Sequence, residues 1–407
     1  MKVLILSPGT RGDVAPATGL GAAFVADGHQ ATIVANIEYE PLVTAAGCTL
    51  APITTPLGPE GDESGDAPSG ARAHLAALRN YMDQAATAAL DAAPGAEAVL
   101  TNAISPYGHD IAEALGVPSV DALLQPWQPS AAYPPVIFSQ RSLGRTGNRL
   151  AGRIAQQVPT PYDPACARIR SKLGLPPRTR RATQRRRRAQ GHPVHHGISP
   201  AVLPRPADWP AHLTLDGFWQ SPTPEDWSPP AELCEFLDAG PAPVVITLGS
   251  ISPNSAALQA VEEALQSIKE RAIVQGGPQL RSIVDRLERP DVIHVGDVPH
   301  LWLLPRAAAV VHHAGAGITA TALQAAIPSV PLPMHTDQPF WARRLAALGA
   351  ATDPIPIKGV DGPLLAAAIT HASANQRLRD GARAVRQTMH AEAGTQPLRE
   401  WLRRAAG

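Results

Sequence analysis

The 407-residue sequence predicts an α/β protein built from two doubly wound parallel-sheet halves. Short apolar runs alternate with helical stretches at the spacing of βαβ units. The pattern opens twice, at Lys2–Ser7 and at Pro243–Leu248, each time as a strand followed by a glycine turn. Hydrophobic residues make up 44% of the chain and charged residues 17%, which is enough apolar material for two cores at this length.

In the first half, Lys2–Ser7 reads as a buried parallel strand. Pro8 to Asp13 is a turn. Ala15–Asp27 then carries Leu20, Ala23 and Phe24 at helical spacing, and Gly28-His29 ends that helix. Gln30–Ala35, Ala98–Thr101 and Pro118–Ala122 read as further strands, the last two flanking a helix over Asp110–Leu115. In the second half, strands are expected at Pro243–Leu248, Arg271–Gln275, Val292–Val295, Ala308–His312 and Ser329–Leu332. Helices are expected at Ser255–Lys269, Ile318–Ala326 and Gln338–Leu348. The stretch from Pro126 to Pro243 is rich in Pro, Arg and Trp and shows no clear elements; Pro222–Pro230 reads as its linker. No carboxylate occurs between Pro164 and Ala207, and Arg178–Arg188 contains seven arginines. That run reads as a solvated, disordered loop, with a phosphate-bearing or acidic partner as the alternative.

Composition excludes several classes. Lys+Arg and Asp+Glu both number 35, so the chain lacks the basic excess of a nucleic-acid binder. The cysteines (Cys48, Cys166, Cys234) are scattered, which disfavours a disulfide scaffold or a structural zinc site. The apolar run Val3–Leu6 stops at Pro8-Gly9, too early for an export signal. No apolar stretch reaches the ~18 residues of a transmembrane helix. A cytoplasmic location with no stable membrane insertion is the expectation.

The segment richest in chemistry is His312-His313-Ala314-Gly315-Ala316-Gly317-Ile318-Thr319. It follows an apolar strand and opens a helix. Small residues let a ligand approach the backbone, and the helix start offers unpaired N–H groups suited to a diphosphate. His312 or His313 can add a hydrogen bond to a phosphate oxygen. A tight turn with no ligand is the competing reading. Asp337-Gln338, at the mouth of another strand, suits vicinal hydroxyls, although helix capping explains the same residues. Thr10-Arg11-Gly12-Asp13 lies where a doubly wound sheet places its ligands. Asp13 is there a candidate general base, or else an N-cap or the partner of Arg11. Gly249-Ser250 is the matching turn of the second half. No Walker A loop, G-x-S-x-G or H-E-x-x-H occurs.

Together these segments resemble the family 1 glycosyltransferases of GT-B fold, in their actinobacterial natural-product branch (vancomycin-group and sterol-glucosyltransferase-like). Ser7–Pro16 resembles that branch's G-[ST]-R-G-D-x-x-P signature. Ser199-Pro200 with Pro204–Pro210 and Gly217-Phe218-Trp219 is similar to its S-P…P-R-P-x-D-W-P…G-[YF]-W segment. Gly296–His300 followed by His312–Thr319 is similar to V-P-H…H-H-G-G-A-G-T-T, and Asp337–Trp341 completes the donor motif. Ala314 stands where the family has a glycine, Ile318 where it has a threonine, Leu301 where it has an aspartate and Pro278 where a Trp is common.

The resemblance implies two facing Rossmann-like domains with a cleft between them. Residues 1–220 would take the acceptor, 221–242 would be the linker, 243–390 would take the nucleotide sugar, and 391–407 would form a helix crossing back to the first domain. It implies Asp13 as general base, with Asp337 the second candidate. Thr10 and Ser250 would lie near the diphosphate, and His312, His313, Thr319 and the backbone of Ala316 and Gly317 would hold it. Val298 would meet the base through its backbone, and Asp337 and Gln338 would hold the sugar. The expected reaction is metal-independent and inverting. A hexose or deoxyhexose would pass from a UDP- or dTDP-sugar to a hydrophobic polyketide or glycopeptide aglycone, with Leu57–Gly70 and Leu124–Phe138 as acceptor loops. An auxiliary protein or a homodimer remains a possible partner. A nucleotide-sugar epimerase and a non-catalytic auxiliary protein are the rival readings.

Overall fold

The computed structural model describes residues 1–57, 71–137, 141–224, 227–249 and 255–406. Ser250, Phe138 and most of the Leu57–Gly70 loop fall outside the described residues. Among those described, two all-parallel sheets form, one of seven strands and one of five.

The first sheet is laid down by β1 (Lys2–Leu6), α1 (Arg11–Ala26), β2 (Gln30–Asn36), α2 (Glu40–Ala45), β3 (Thr49–Ile53), α3 (Ala71–Asp91), β4 (Ala98–Thr101), α4 (Gly108–Leu115) and β5 (Ser119–Leu123). Then come α5 (Gly144–Ala155), α6 (Asp163–Lys172), α7 (Arg180–Ala189), β6 (Val194–His196) and β7 (Leu213–Leu215). The strand order is β3-β2-β1-β4-β5-β6-β7. β1 is central, with Ile5 paired to Ile33 on one side and Leu100 on the other. Val3, Leu4, Ile5 and Leu6 are all buried because helices cover both faces of the sheet.

The second sheet follows α8 (Ala231–Asp238). It is built from β8 (Val244–Thr247), α9 (Ser255–Ser267), β9 (Ala272–Gln275), α10 (Pro278–Leu287), β10 (Val292–Val295), α11 (His300–Leu303), β11 (Ala309–His312), α12 (Ala316–Gln324), β12 (Ser329–Pro331) and α13 (Gln338–Ala347). Its order is β10-β9-β8-β11-β12. The chain ends with α14 (Gly362–Ala374), α15 (Gln376–Met389) and α16 (Gln396–Ala406). Leu398, Trp401 and Leu402 of α16 sit in the core beneath the first sheet with Leu20 and Phe24 of α1. Arg399 pairs with Asp27 just beyond α1, at 2.7 Å from Nε to Oδ2.

The arginine run is a helix and not a loop. Thr179 caps α7 by accepting the Ala182 N–H at 3.3 Å. Arginine is a strong helix former, and Glu113 of α4 draws Arg178 and Arg186 onto the first domain, each at 2.9 Å. The neighbouring stretch likewise holds regular elements. β6 and β7, at three residues each, are too short to show a period.

Gly19 of α1 faces the backbone of Gln220, and a Cβ built there would lie 2.2 Å from the Gln220 carbonyl oxygen. Neither backbone can give way cheaply. Gly19→Ala is expected to cost about 1–3 kcal/mol, the usual scale of overpacking, and a circular-dichroism melt would show it as a lowered Tm. An unchanged Tm would mean that the 217–221 segment is not fixed against α1.

Candidate active site

Both sheets place their ligand-facing loops at the carboxyl ends of strands flanking the point where strand order reverses. In the first sheet this lies between β1 and β4, in the second between β8 and β11. The loops that follow carry Asp13, Asn102, Gly249 and His312. α1 packs against α12, and Arg11 bonds Asp297 across the two halves at 2.8 Å. Arg11 therefore does not pair with Asp13, as one reading of the sequence had it.

Asp13 lies in the first turn of α1. Its Oδ2 accepts the Thr10 N–H at 2.9 Å and the Thr10 hydroxyl at 3.3 Å. The candidate base is thus also the capping-box carboxylate of α1. Gly9 has a φ of 132°, and a Cβ there would meet Asp13 Oδ2 at 2.3 Å, so the carboxylate occupies space that only glycine leaves free. Tyr81 accepts the Gly9 N–H at 2.7 Å and donates to Asn36 at 2.6 Å, which fixes the turn from beneath. Burial pushes the Asp13 carboxyl up to about 6; the Thr10 N–H opposes this and the Asp337 carboxylate adds to it. The two carboxylates named as candidate bases therefore feel one another across the cleft.

His312 is fully buried at the end of β11. Its Nδ1 accepts the Ala314 N–H at 3.0 Å. The ring proton must then sit on Nε2, which has no partner within the protein. Burial holds the ring down at about 3, with His313 and His300 adding to the effect, so it is a neutral donor. Ala314 adopts a left-handed φ of 59°, where the family's glycine would be unstrained. The His313 ring lies between Gly249 and Gly315, where Cβ atoms would meet it at 2.6 Å in both cases. Its Nδ1 also lacks a partner.

Gly315 is the N-cap of α12, and Ala316 and Gly317 supply its first N–H groups. The Thr319 hydroxyl is buried without a partner. Ile318, in the threonine position, packs in the core with Val298, Leu303 and Val310. The carbonyl of Val298 accepts from Gln275 Nε2 at 2.8 Å, which leaves one lone pair for a further donor.

Asp337 and Gln338 are both buried at the start of α13. Asp337 Oδ2 accepts the Trp341 indole N–H at 2.8 Å and Oδ1 accepts the Thr336 hydroxyl at 3.1 Å. Gln338 Oε1 accepts the Met334 and His335 N–H groups at 2.8 and 3.3 Å, which leaves its amide nitrogen for a ligand. Thr336, just before them, has a left-handed φ of 55°, the kind of strain that collects at binding loops.

A cavity of about 1230 Å³ opens within the first domain, against α5, α6 and α7. Trp127, Tyr133 and Trp209 line it, and Asn102 lines both this cavity and the small one at Asp13. At its polar end the ligand atoms of His109, Asp121 and His192 lie within 4.8 Å of one another. His109 Nε2 bonds Asp121 Oδ1 at 2.9 Å, and its Nδ1 meets Ser119 at 2.8 Å. Both rings are held below their ordinary pKa by burial, and the Arg187 charge lowers them further. The same charge opposes a metal cation there. Sequence reasoning missed this end of the cavity; the arginine run was its only signal.

The two Rossmann-like halves and the cleft that joins Asp13 to His312 and Asp337 define a GT-B transferase. Residues 263–400 match the family model described as erythromycin biosynthesis protein CIII-like, C-terminal domain. The chain is 32% identical to O-mycaminosyltylonolide 6-deoxyallosyltransferase of Streptomyces fradiae, over 98% of this chain and 97% of that one. It is 30% identical to sterol 3-beta-glucosyltransferase UGT80A2 of Arabidopsis thaliana over 88% of its length, and spans 58% of that longer protein. The glycosyltransferase VinC, crystallised with dTDP, has the same fold (TM-score 0.66, 19% identity, 100% of this chain and 99% of that one). The chain belongs to the GT-B glycosyltransferases related to the actinobacterial sugar transferases of antibiotic biosynthesis. It is a nucleotide-sugar-dependent glycosyltransferase of that inverting, metal-independent class. Among the described residues no helix is long and apolar enough to cross a membrane.

Proposed function

We propose that the enzyme moves a hexose or deoxyhexose from a dTDP- or UDP-sugar to a hydroxyl of a hydrophobic natural-product aglycone of the polyketide or glycopeptide kind. One observation carries the reading: a half-buried carboxylate with a pKa raised to about 6 faces the same cleft as a neutral imidazole whose Nε2–H is unused. Asp13 takes the acceptor's hydroxyl proton as that oxygen attacks the anomeric carbon. The C1–O bond to the diphosphate breaks, and the nucleotide diphosphate leaves with the electron pair. His312 Nε2–H and the first N–H groups of α12 meet the charge gained by the leaving group. Thr10, His313 and Thr319 border the diphosphate, Val298 offers its backbone to the base, and Asp337 with the Gln338 amide nitrogen holds the sugar. A single displacement inverts the anomeric centre.

The acceptor reading draws on the cavity beside Asn102, which has aromatic walls and room for a polycyclic or macrocyclic body. The dTDP in VinC favours a thymidine-linked donor. The test is a panel of UDP- and dTDP-sugars incubated with polyketide and glycopeptide aglycones, read by mass spectrometry. Acceptor-dependent release of nucleotide diphosphate with a sugar-mass gain on the aglycone is expected. Interconversion of the donor without an acceptor would instead mark an epimerase.

A further inference from the structure

We propose that the acceptor carries a carboxylate, and that the α7 side of the large cavity is the subsite that binds it. This rests on the reading that the cavity holds the acceptor.

Four cavity-lining arginines are already matched. Arg149 pairs with Asp208 at 3.0 Å, Arg170 with Asp110 at 2.5 Å, Arg178 with Glu113 at 2.9 Å and Arg180 with Asp163 at 3.2 Å. Arg187 and Arg188 of α7 and Arg153 of α5 also line the cavity. None of these three has a carboxylate within salt-bridge distance among the described residues.

Arg187 is the most enclosed of the three. Its one hydrogen bond goes to the Pro106 carbonyl at 3.4 Å, a long contact for a guanidinium with five donors. Asp110 and Asp121 attract it only from a distance; Asp110 is matched by Arg170, while Asp121 is hydrogen-bonded to the His109 ring, which burial holds below its ordinary pKa. Burial lowers its pKa, as expected of a cation whose solvation has been only partly replaced.

His192 stands beside the same wall. Its Nε2 is buried with no hydrogen-bond partner, 3.7 Å from Asp121 Oδ2. Arg188 and Arg153 repel one another nearby, and Arg188 donates to the Gln156 amide oxygen. A planar anion would satisfy the Arg187 fork in two parallel bonds and relieve the repulsion between the other two. Trp127, Tyr133, Val136 and Leu213 give the wall its apolar part, and Asp163 and Asp208 on it are already matched by arginines, so the acceptor that fits is an apolar body with one acidic end. The Arg-rich helix, which the family motifs leave unexplained, then has a role in choosing substrate.

The probes are deoxycholate and its methyl ester, which share a rigid apolar body and hydroxyls and differ in one charge. Titration against the full-length protein, followed by tryptophan fluorescence and calorimetry, is expected to show the acid binding about tenfold tighter than the ester at low salt. That preference should shrink as salt rises. Arg187→Gln should reduce it to about threefold or less while leaving ester affinity unchanged, and Arg187→Lys should restore part of it. Equal binding of acid and ester by the wild-type protein overturns the carboxylate subsite and leaves the acceptor cavity standing. A preference that survives in both Arg187→Gln and Arg153→Gln overturns it as well. Binding of neither probe removes the acceptor reading of the cavity, and this proposal with it.

Discussion

Asp13→Asn is expected to lower turnover by about 10²–10⁴, the range that general-base assistance supplies, while donor affinity stays close to wild type. Asparagine keeps an oxygen that can accept the Thr10 N–H, which Asp13 accepts at 2.9 Å, so the start of α1 survives the change. Only the proton acceptor is removed. The wild-type pH profile should show the same group. The base must be ionised, and the folded carboxyl has its pKa at about 6. Below that pH, kcat/KM should fall roughly tenfold per unit, and the limb should vanish in the variant.

The stability effect has the opposite sign. The native carboxyl titrates higher than the ordinary 3.8 of an aspartate, so the fold favours the protonated form. That contribution is complete below about 3.8 and is lost as pH rises through about 6. At pH 7 the ionised group therefore burdens the fold, and Asp13→Asn should melt at or above the wild-type temperature. Near-wild-type turnover with the acidic limb intact would move the base to Asp337. That outcome is disfavoured by the Trp341 and Thr336 donors already bonded to the Asp337 oxygens.

Much of the second half was legible in the sequence because its signals are local. The strand–turn–helix at His312–Thr319 is one contiguous segment, and a glycine-rich turn at a helix start has a meaning independent of the rest of the chain. β1, β2, β4, β5 and the five strands of the second sheet were legible for a similar reason, since residues buried on two faces read as unbroken apolar runs, whereas β3, β6 and β7 were not read. What could not be read was pairwise. Arg11 joining Asp297, 286 residues away, gives no local sign. Nor does Gln338 spend its oxygen on two backbone N–H groups in any way its motif reveals. The arginine run is solvated as its charge density suggests, but it is a helix where a loop was expected. Its partner, Glu113, lies on α4, and the helix it forms owes its place to a cavity no window of sequence contains. Ile318, standing where the family has a threonine, is in the fold a core residue beside Val298.

His312→Asn separates the two nitrogens of that ring, and a loss of about 10²–10³ in kcat/KM is expected, the scale of one lost donor to a developing anion. The asparagine oxygen can take the place of Nδ1 and accept the Ala314 N–H, so the left-handed turn at Ala314 keeps its anchor. The donor at Nε2 is gone. His312→Gln reverses the trade. Its longer amide reaches toward the Nε2 position, and it should retain more activity than asparagine while losing thermal stability as the Ala314 N–H goes unmet. Calorimetry with dTDP and with UDP should show the same order of affinity, wild type above glutamine above asparagine. The pH profile carries a further expectation. Because burial keeps the ring neutral down to about 3, no limb belongs to it, and His312→Asn should keep the limb at about 6 that Asp13 supplies. A neutral donor suits this position, since an imidazolium would pay a desolvation cost that only bound diphosphate could repay. Wild-type turnover in His312→Asn would place the charge of the leaving group on the α12 backbone alone.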